Sequence, residues 1–314
     1  MIAFVFPGQG SQVVGMGRAL AAADPISRAT FEAADEALGE DLSRLCFEGP
    51  AAELSLTEYT QPALLAVSTA AARFLGRRGL RPAFVAGHSL GEYSAHVAAG
   101  TIAFEDAVRL VRLRGRYMQE AVPIGAGAMA AVLGLDRAST ESAVAEAARE
   151  TGQVVSAANI NGPRQIVIAG TREGVEAASA RAKALGARRV VPLDVSAPFH
   201  CALMAPAEAR LAPALQSLHT LDPSVPVIAN VDASPVQDRA RAIDALIGQV
   251  SRPVLWQQTV EWLANQGVRH YVEVGPGHVL SGLVRKIDRH AEVATFAEPK
   301  DLPAVEALFS AVAQ

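Results

Sequence analysis

The sequence predicts an α/β fold with a mostly parallel, covered sheet and a second, smaller sheet inserted into it. Short apolar runs of strand length alternate with helical patterns, and glycine-containing turns separate them, which predicts the larger sheet. Residues 125–196 follow the order β-α-β-β-α-β, which predicts a ferredoxin-like unit. One α/β body with an insertion accommodates all 314 residues, so two independent domains are not required.

The N-terminal part of the chain predicts repeated strand, turn and helix units. Residues 2–6 form an apolar run of strand length, and Pro7-Gly8-Gln9-Gly10 ends it. A proline is tolerated in the first turn of a helix. The later elements expected here are a helix from near Thr60 with Pro62 in its first turn, a strand at 83–87, and a helix from Glu92 towards Ala99.

Two boundaries divide the chain into a body and an inserted subdomain. We predict that residues 1–124 and 197–314 form the body and that residues 125–196 form the small subdomain. The subdomain elements are expected at 128–135 (strand), 139–150 (helix), 154–159 and 165–169 (strands), 172–185 (helix) and 189–195 (strand). After the insertion we expect a helix following His200, a strand at 225–231, a helix around 258–266 and a strand at 271–274.

Charge and composition exclude several classes of protein. There are 28 basic and 32 acidic side chains, so a net charge of −4 provides no overall attraction for nucleic acid or an anionic membrane. We find neither a signal peptide nor a transmembrane segment in the sequence. Only Cys46 and Cys201 are present, which argues against a disulfide framework or a thiolate metal cage and favours the cytoplasm.

The residues GHSLG at 87–91 match the motif G-x-S-x-G. In this motif small flanking residues permit a strained turn between a strand and a helix, which exposes the serine oxygen. An apolar strand precedes Ser89 and a helical pattern follows it, as the motif requires. We therefore predict that Ser89 is a nucleophile; the alternative is a helix-capping serine between packing glycines.

A serine nucleophile needs a base, and the seven histidines are the candidates. His200 is favoured because it follows a predicted strand at the junction of the two subdomains, where clefts form. The alternative is a packed histidine that donates to a nearby carbonyl. His88 adjoins Ser89 but is expected on the other side of the turn, and His278 follows a Gly-Pro-Gly turn as a candidate pocket wall. His96 lies inside the helix that follows Ser89. The other three, His219, His270 and His290, stand in polar or helix-end segments that are typical of surface histidines.

The glycine turn at residues 8–10 does not match a nucleotide-binding loop. The motif G-x-G-x-x-G would need glycine where Val13 stands, and the chain contains no G-x-x-x-x-G-K-[ST] sequence. Beside a serine turn, such a loop is better suited to donating a backbone N–H to an oxyanion, with the N–H of Leu90 as its partner.

Several motifs together resemble the malonyl-CoA:acyl carrier protein transacylases, nearly from end to end. The matching segments are FPGQGSQ at 6–12, GHSLGEYS at 87–94, RGRYMQ at 114–119, PFHCALM at 198–204 and EVGPG at 273–277. The resemblance implies an α/β-hydrolase-like large subdomain with the ferredoxin-like insertion. It also implies transfer of malonyl from malonyl-CoA to the phosphopantetheine thiol of acyl carrier protein in fatty acid synthesis, through a malonyl-serine intermediate.

The same resemblance assigns roles to residues. It implies Ser89 as the acylated nucleophile, His200 as its base, and a main-chain carbonyl near Gln249 that orients the histidine. The backbone N–H groups of Gln9 and Leu90 would form the oxyanion hole. Arg114, with His88 and Phe199 nearby, would bind the substrate, since a guanidinium matches a carboxylate in a bidentate pair. From the residues alone, Arg114 is one of several arginines on a helix, and a solvated or ion-paired helical face is the favoured explanation.

Phe199, which precedes the histidine, resembles the bulky aromatic residue at that position in the malonyl-type acyltransferases of polyketide synthases. Free-standing relatives also carry serine there, so Phe199 departs from one common form. This difference concerns tolerance for α-substituents. The alternatives to fatty acid synthesis are a discrete trans-acting acyltransferase of polyketide assembly, the transacylase of malonate decarboxylation, a thioesterase, and a catalytically silent carrier-binding module. The intact set of Ser89, His200 and Arg114 argues against the last.

The expected mechanism requires no metal and no redox cofactor. The expected partners are malonyl-CoA and acyl carrier protein, with no nucleic acid or membrane, and we expect a monomer. Because carrier proteins are generally acidic, a cationic rim should receive one. The candidates are Arg285, Lys286 and Arg289 in one cluster and Lys183, Arg188 and Arg189 in another, although both clusters are equally consistent with ordinary solvated faces.

Overall fold

A computed structural model describes residues 1–123 and 125–312 of the chain. Ten strands of this part form two sheets, one of six strands and one of four. The strands are β1 (Ile2–Phe6), β2 (Phe84–Gly87), β3 (Gly127–Leu133), β4 (Val155–Gly162), β5 (Gln165–Thr171), β6 (Arg189–Pro192), β7 (Val227–Ile228), β8 (Pro235–Val236), β9 (His270–Val274) and β10 (Glu292–Phe296).

The described residues also form fourteen α-helices. They are α1 (Arg18–Ala23), α2 (Pro25–Leu38), α3 (Leu42–Glu48), α4 (Ala51–Leu54), α5 (Thr57–Gly76), α6 (Leu90–Ala98), α7 (Phe104–Glu120), α8 (Arg137–Thr151), α9 (Arg172–Ala184), α10 (Ala205–Gln216), α11 (Arg239–Gln249), α12 (Trp256–Asn265), α13 (Val279–Ile287) and α14 (Leu302–Val312).

The six-stranded sheet has the order β10-β9-β1-β2-β7-β8, and only β8 runs antiparallel to its neighbour. All five residues of β1 are buried, as expected for a central strand covered by helices on both faces. Phe4 and Phe6 pack in a cluster with Phe74 of α5, whereas Ala3 and Val5 pack in a cluster with Trp256 of α12. This strand therefore holds two helical layers together.

The four-stranded sheet confirms the ferredoxin-like order read from the sequence. Its strands are antiparallel in the order β4-β5-β3-β6, with α8 and α9 as the two helices of the unit. Val144 of α8 and Val175 of α9 pack on Val132 and Ile168 of the sheet. All four strands lie within the predicted segment 125–196. The predicted limits of the body at residues 124 and 314 fall outside the described residues.

Three details of the predicted elements were wrong. Helix α5 begins at Thr57, so Pro62 lies in the second turn, where packing of α5 against α7 offsets the one missing hydrogen bond. The strand expected at 225–231 is reduced to β7, because the chain turns back as Ala229 N–H donates to Ser234 O. Strand β6 ends at Pro192, beyond which the chain leaves the sheet to line a cavity.

Within the described ranges, no helix is both long enough and apolar enough to cross a membrane. Cys46 and Cys201 are free and buried. Burial raises the pKa of the Cys46 thiol to about 12 and that of Cys201 to about 11, so both are inert neutral thiols at neutral pH.

The contact between α6 and β1 predicts opposite effects of alanine at two helical glycines. A Cβ at Gly91 would lie 2.0 Å from the backbone oxygen of Phe6, whereas a Cβ at Gly282 of α13 meets nothing within 4 Å. Gly91→Ala should lower the free energy of unfolding by about 1–3 kcal/mol through overpacking. Gly282→Ala should raise it by about 0.5–1 kcal/mol through helix propensity. Urea unfolding measures both; equal shifts would contradict the assigned cause.

Candidate active site

Ser89 lies on a strained turn between β2 and α6. Its φ of 53° and ψ of −107° are a rare backbone conformation for a residue other than glycine. His200 also has a positive φ, of 59°. Among the described residues only one further non-glycine position, Ala233, shares this feature. Two of the three such residues therefore meet at one site, and the confirmed strand-to-helix turn exposes the Ser89 hydroxyl there.

The two glycines that flank Ser89 make this turn sterically feasible. A Cβ at Gly87 would lie 1.9 Å from the backbone of Gly91, and a Cβ at Gly91 would meet Phe6 O. Asn230 fixes the turn from outside: its Oδ1 accepts from Ser89 N–H at 2.7 Å, and its Nδ2 donates to Gly87 O at 2.7 Å. The strain of the turn is thus opposed by close packing and two buried hydrogen bonds.

The Ser89 hydroxyl and the His200 imidazole form a hydrogen-bonded pair. Ser89 Oγ lies 2.7 Å from His200 Nε2, and His200 Nδ1 lies 2.9 Å from the backbone oxygen of Gln249. Because a carbonyl oxygen only accepts, His200 Nδ1 must carry the proton and Nε2 must accept from Ser89. The carbonyl therefore selects the tautomer in which Nε2 is able to act as a base.

Electrostatics keep this imidazole neutral. Burial, together with the nearby Arg114 cation, lowers the pKa of His200 to about 3. At neutral pH the ring is thus unprotonated and ready to accept a proton. The histidine is only 3% exposed, so bulk water has little access to it.

Arg114 of α7 is 1% exposed and points at the same serine. Its Nη2 donates to Ser89 Oγ at 3.2 Å and to Gln249 Oε1 at 2.8 Å, while its Nη1 donates to Gln61 Oε1 at 2.9 Å. Burial lowers the pKa of the guanidinium. All three acceptors are neutral, so this buried cation has a fork of donors and no direct anionic partner among the described residues.

The other arginines of α7 face elsewhere, which separates Arg114 from the ionised helical face considered above. Arg109 is exposed and pairs with Asp106 at 3.2 Å, and Arg116 is exposed. Arg112 pairs with Glu40 and lies over the Tyr59 ring. Only Arg114, of the four, lines the cavity beside Ser89.

The side chain of Gln249 joins the site into one network. Its Nε2 donates to Ser89 O at 2.8 Å and to Glu92 Oε2 at 2.7 Å, while its Oε1 accepts from Arg114. Glu92 Oε2 also accepts the backbone N–H of Asn230 at 3.0 Å. Gln249 was expected to act through its main chain alone; the structure shows that its amide also contacts the arginine and the turn.

The cavity above Ser89 has a volume of about 120 Å³. Its polar residues are Gln9, Gln61, His88, Ser89, Arg114, Asn159 and His200, and its apolar residues are Leu90, Met118, Met129, Leu193, Val195 and Phe199. Met129 and Asn159 belong to the small sheet, and Ser89 and Arg114 to the body. The cavity therefore lies between the two sheets and suits a short, singly charged group.

Gln9 and Leu90 approach the site from the loop after β1 and the first turn of α6. Both line the cavity, and neither backbone N–H donates to a residue in the described ranges. The Gln9 side chain is anchored, because its Nε2 donates to Thr57 Oγ1 at 3.2 Å. Two free N–H groups beside a serine oxygen are the arrangement that an oxyanion hole requires.

The remaining candidates are placed as follows. His88 lines the cavity, but its Nε2 lies 2.7 Å from Asn161 Oδ1 and is thus engaged away from Ser89. Phe199 is buried and lines the cavity. His278 is exposed and lies outside the cavity lining, so it is not a wall of this pocket. Within the ranges described, no cluster of residues could hold a metal ion.

The two predicted basic clusters meet at one groove of about 830 Å³. Its lining includes four basic residues, Arg164, Arg188, Lys286 and Arg289, and no acidic side chain. Arg285, which donates to Val293 O at 2.9 Å, is absent from this lining, as are Lys183 and Arg189. Asn161 lines the groove and contacts His88, so the groove leads towards the serine.

Sequence reasoning missed several residues of the site: Gln61, Glu92, Met118, Met129, Asn159, Asn161 and Asn230. Glu92 stands three residues after Ser89 and is the only acidic residue in the helix predicted from Glu92 towards Ala99, which was an available signal. Asn230 gave no such signal, because only the tertiary fold brings it to the turn.

Comparisons with known proteins agree with this geometry. A family model described as an acyl transferase domain matches residues 3–298. The malonyl CoA-acyl carrier protein transacylase of Escherichia coli K12 is 53% identical over 303 residues, covering 96% of this chain and 97% of that protein.

Two solved structures have similar folds. An acyl carrier protein S-malonyltransferase from Vibrio cholerae has a TM-score of 0.95 at 48% identity, covering 97% of this chain and 99% of that one. A malonyl-transacylase in complex with its type II polyketide synthase acyl-carrier protein has a TM-score of 0.94 at 48% identity, covering 97% and 98%.

Proposed function

This chain belongs to the acyl transferase domain family, and from that membership and the geometry of its site we infer that it transfers a malonyl group from malonyl-CoA to acyl carrier protein. The observation that carries the inference is one serine oxygen, held 2.7 Å from a neutral histidine and 3.2 Å from a buried arginine. The histidine is suited to activating the serine, and the arginine to selecting a substrate that bears a carboxylate.

The first half-reaction acylates Ser89. As Ser89 Oγ bonds to the thioester carbon, His200 Nε2 takes the serine proton, and the carbonyl π electrons move to the oxygen. The backbone N–H groups of Gln9 and Leu90 stabilise that oxyanion. When the C–S bond breaks, the electron pair leaves with the CoA sulfur, which takes the proton from His200. The hydrogen bond to Gln249 O stabilises the imidazolium between these steps.

The second half-reaction repeats these steps with a different nucleophile. His200 takes the proton of the phosphopantetheine thiol as its sulfur attacks the malonyl ester, and returns it to Ser89 Oγ as the C–O bond breaks. Every protein group that these steps use is a side chain, a backbone N–H or a backbone carbonyl of this chain. We therefore propose that the reaction needs no metal and no redox cofactor.

Arg114 supplies the acyl specificity in this proposal. Its donors rest on the amide oxygens of Gln61 and Gln249, which are weaker acceptors than a carboxylate. When malonyl binds, its carboxylate replaces a neutral hydrogen-bond acceptor of Arg114 with a charged one. Phe199 and the two methionines leave little room beside the α-carbon in a cavity of about 120 Å³, which favours an unsubstituted malonyl group.

The basic groove is the proposed docking surface for the carrier. Arg188, Lys286 and Arg289 present three exposed cations there, and an acidic partner is attracted to such a surface. Arg285 does not line the groove and is therefore a weaker candidate than its neighbours. The proposal of a cytoplasmic location is supported by two free thiols. The monomeric state stays a prediction from the sequence.

Two pathways use this reaction on different carriers. Fatty acid synthesis is the pathway that we propose. The similar curated proteins are named for transfer of malonyl to acyl carrier protein, and their names do not mention a polyketide carrier. A polyketide carrier is the second candidate, because one similar structure is a complex with such a carrier. Transfer rates to the two types of holo carrier protein, compared at equal concentration, separate these alternatives.

Intact-protein mass tests the covalent step. Malonyl-CoA without acceptor should leave one malonyl group on Ser89, and Ser89→Ala should carry none. His200→Ala should slow acylation by roughly 10²- to 10⁴-fold, which is the usual contribution of a positioned base. His88→Ala is the control, since its ring is engaged by Asn161. If His88→Ala were inactive and His200→Ala active, the base would be misassigned; rapid loss of the label to water would favour a thioesterase.

Arg114 should decide the choice of acyl group. A charge-assisted contact is worth about 1.5–3 kcal/mol, so Arg114→Ala should lower kcat/KM for malonyl-CoA by roughly 10- to 150-fold. Acetyl-CoA has no carboxylate, and its slow reaction should hold steady or improve. The ratio of the two kcat/KM values is measured, with Arg116→Ala on the exposed face as the control. Equal losses for both donors would show that Arg114 is structural.

Charge reversal tests the groove. Lys286→Glu combined with Arg289→Glu should raise KM for the carrier roughly tenfold at low salt, with the difference shrinking as salt rises. Lys183→Glu, outside the groove, is the matched control. Malonyl-pantetheine serves as the donor, because it lacks the anionic nucleotide of CoA. An unchanged KM for the carrier in the double variant would exclude this docking surface.

A further inference from the structure

The buried carboxylates of the described residues fall into two classes. Asp24 lies 3.6 Å from Arg77 and caps α2, and Glu273 accepts two backbone N–H groups at the start of α13. Glu92 is 0% exposed and has neither a direct cation partner nor a capping role among the described residues. A fully buried acid without these uses invites a functional explanation.

Glu92 and Arg114 are linked by one amide. Gln249 Oε1 accepts from Arg114 at 2.8 Å, and Gln249 Nε2 donates to Glu92 Oε2 at 2.7 Å. Burying a lone cation is costly, and a nearby anion reduces the cost. Gln249 therefore lies between the buried guanidinium of Arg114 and the buried carboxylate of Glu92, whose negative charge stabilises the Arg114 cation.

The second oxygen of this carboxylate is free. Glu92 Oε1 is buried and has no hydrogen-bond partner among the described residues, whereas Oε2 accepts two hydrogen bonds. A proton on Oε1 would leave both accepted bonds at Oε2 in place. Protonation thus changes the charge of the site without displacing Gln249 or Asn230.

We propose that Glu92 is the counter-ion of Arg114 in the free enzyme, and that it takes up one proton when a malonyl carboxylate binds Arg114. The proposal rests on the function inferred above, in which Arg114 receives that carboxylate. Two anions then face a single buried cation. Protonating Glu92 restores the original charge balance. Binding of the malonyl carboxylate is therefore coupled to the uptake of one proton.

The charges around Glu92 are consistent with titration near neutrality. Burial raises its pKa to about 7, while hydrogen bonds from Gln249 and Asn230 and the Arg114 charge oppose the rise. Asp232, in the turn after β7, acts in the same direction as burial, and Tyr93 and His96 are the other titratable residues of α6. The buried residues of α5, β1, β2 and β7 include no charged side chain.

The proton balance of acylation makes the effect measurable. Ser89 loses a proton and the CoA thiol gains one. Transfer of the acyl group from sulfur to oxygen therefore causes no net proton uptake or release below the pKa of the thiol. Uptake on Glu92 adds one proton from solvent. By linkage, malonyl binding raises the pKa of Glu92, and malonyl affinity must fall as pH rises from the pKa of the free enzyme to that of the malonyl form.

The experiment measures proton uptake with a pH indicator in weak buffer as the enzyme reacts with excess malonyl-CoA. Intact-protein mass counts the malonyl groups formed. At pH 7.5 we expect uptake of about half a proton or more per malonyl group, and at pH 6.0 only about a tenth, because a group with a pKa of about 7 is then largely protonated already. Acetyl-CoA, which lacks the carboxylate, should give no such uptake.

Glu92→Gln is the decisive variant. Its amide oxygen accepts the same two hydrogen bonds, and its NH₂ occupies the place of Oε1, so it mimics the protonated acid. It should form the malonyl-enzyme without uptake, and its malonyl affinity should not fall between pH 7 and pH 8.5 as that of the wild type does. A merely structural role would instead weaken malonyl binding equally at every pH.

A second variant keeps the test decisive if Glu92→Gln does not fold. Asp232→Asn removes a surface charge that raises the pKa of Glu92, so the midpoint of uptake should move to lower pH. Malonylation of the wild type without proton uptake, or unaltered uptake in Glu92→Gln, would overturn the proposal. Absence of any malonyl-enzyme would instead refute the proposed function, which keeps the two failures distinct.

Discussion

The hydrogen bonds of Gln249 are the interaction on which the site depends. Its backbone oxygen sets the tautomer of His200, its side-chain oxygen holds Arg114, and its amide nitrogen binds the backbone of Ser89. One residue at the end of α11 thus contacts the proposed base, the cation and the proposed nucleophile. Because the Gln249 side chain is fully buried, leaving its polar atoms without partners would be costly.

The strain at Ser89 is possible because the large sheet is rigid around it. Strand β1 pairs with β2 and β9 and is buried on both faces, and α6 approaches it so closely that only glycine fits at position 91. The backbone of a serine with φ of 53° is unfavourable in isolation. Close packing on one side and Asn230 on the other hold it in place, and both Ser89 and Leu90 line the cavity, as the proposed attack on a carbonyl requires.

A neutral base beside a buried cation is an unusual electrostatic arrangement, and burial explains both halves of it. Desolvation lowers the pKa of His200 and of Arg114 alike, yet the imidazole loses its proton and the guanidinium, with a far higher starting pKa, keeps it. The same low dielectric strengthens the attraction between Arg114 and any carboxylate that enters the cavity. Chemistry and specificity therefore have one physical origin.

The sequence by itself determined the local features of this protein. The G-x-S-x-G turn, the α/β alternation and the β-α-β-β-α-β insertion all depend on residues that are close in the chain, so their patterns were readable. His200 and Arg114 were named from the sequence as candidate residues, and both lie beside Ser89, although from the residues alone each had an ordinary structural explanation. Only the tertiary structure decided that Arg114 points inwards while Arg112 and Arg116 do not, and that Glu92 meets both Asn230 and Gln249. These contacts join residues more than a hundred positions apart, and no local pattern specifies which buried polar groups must be paired there.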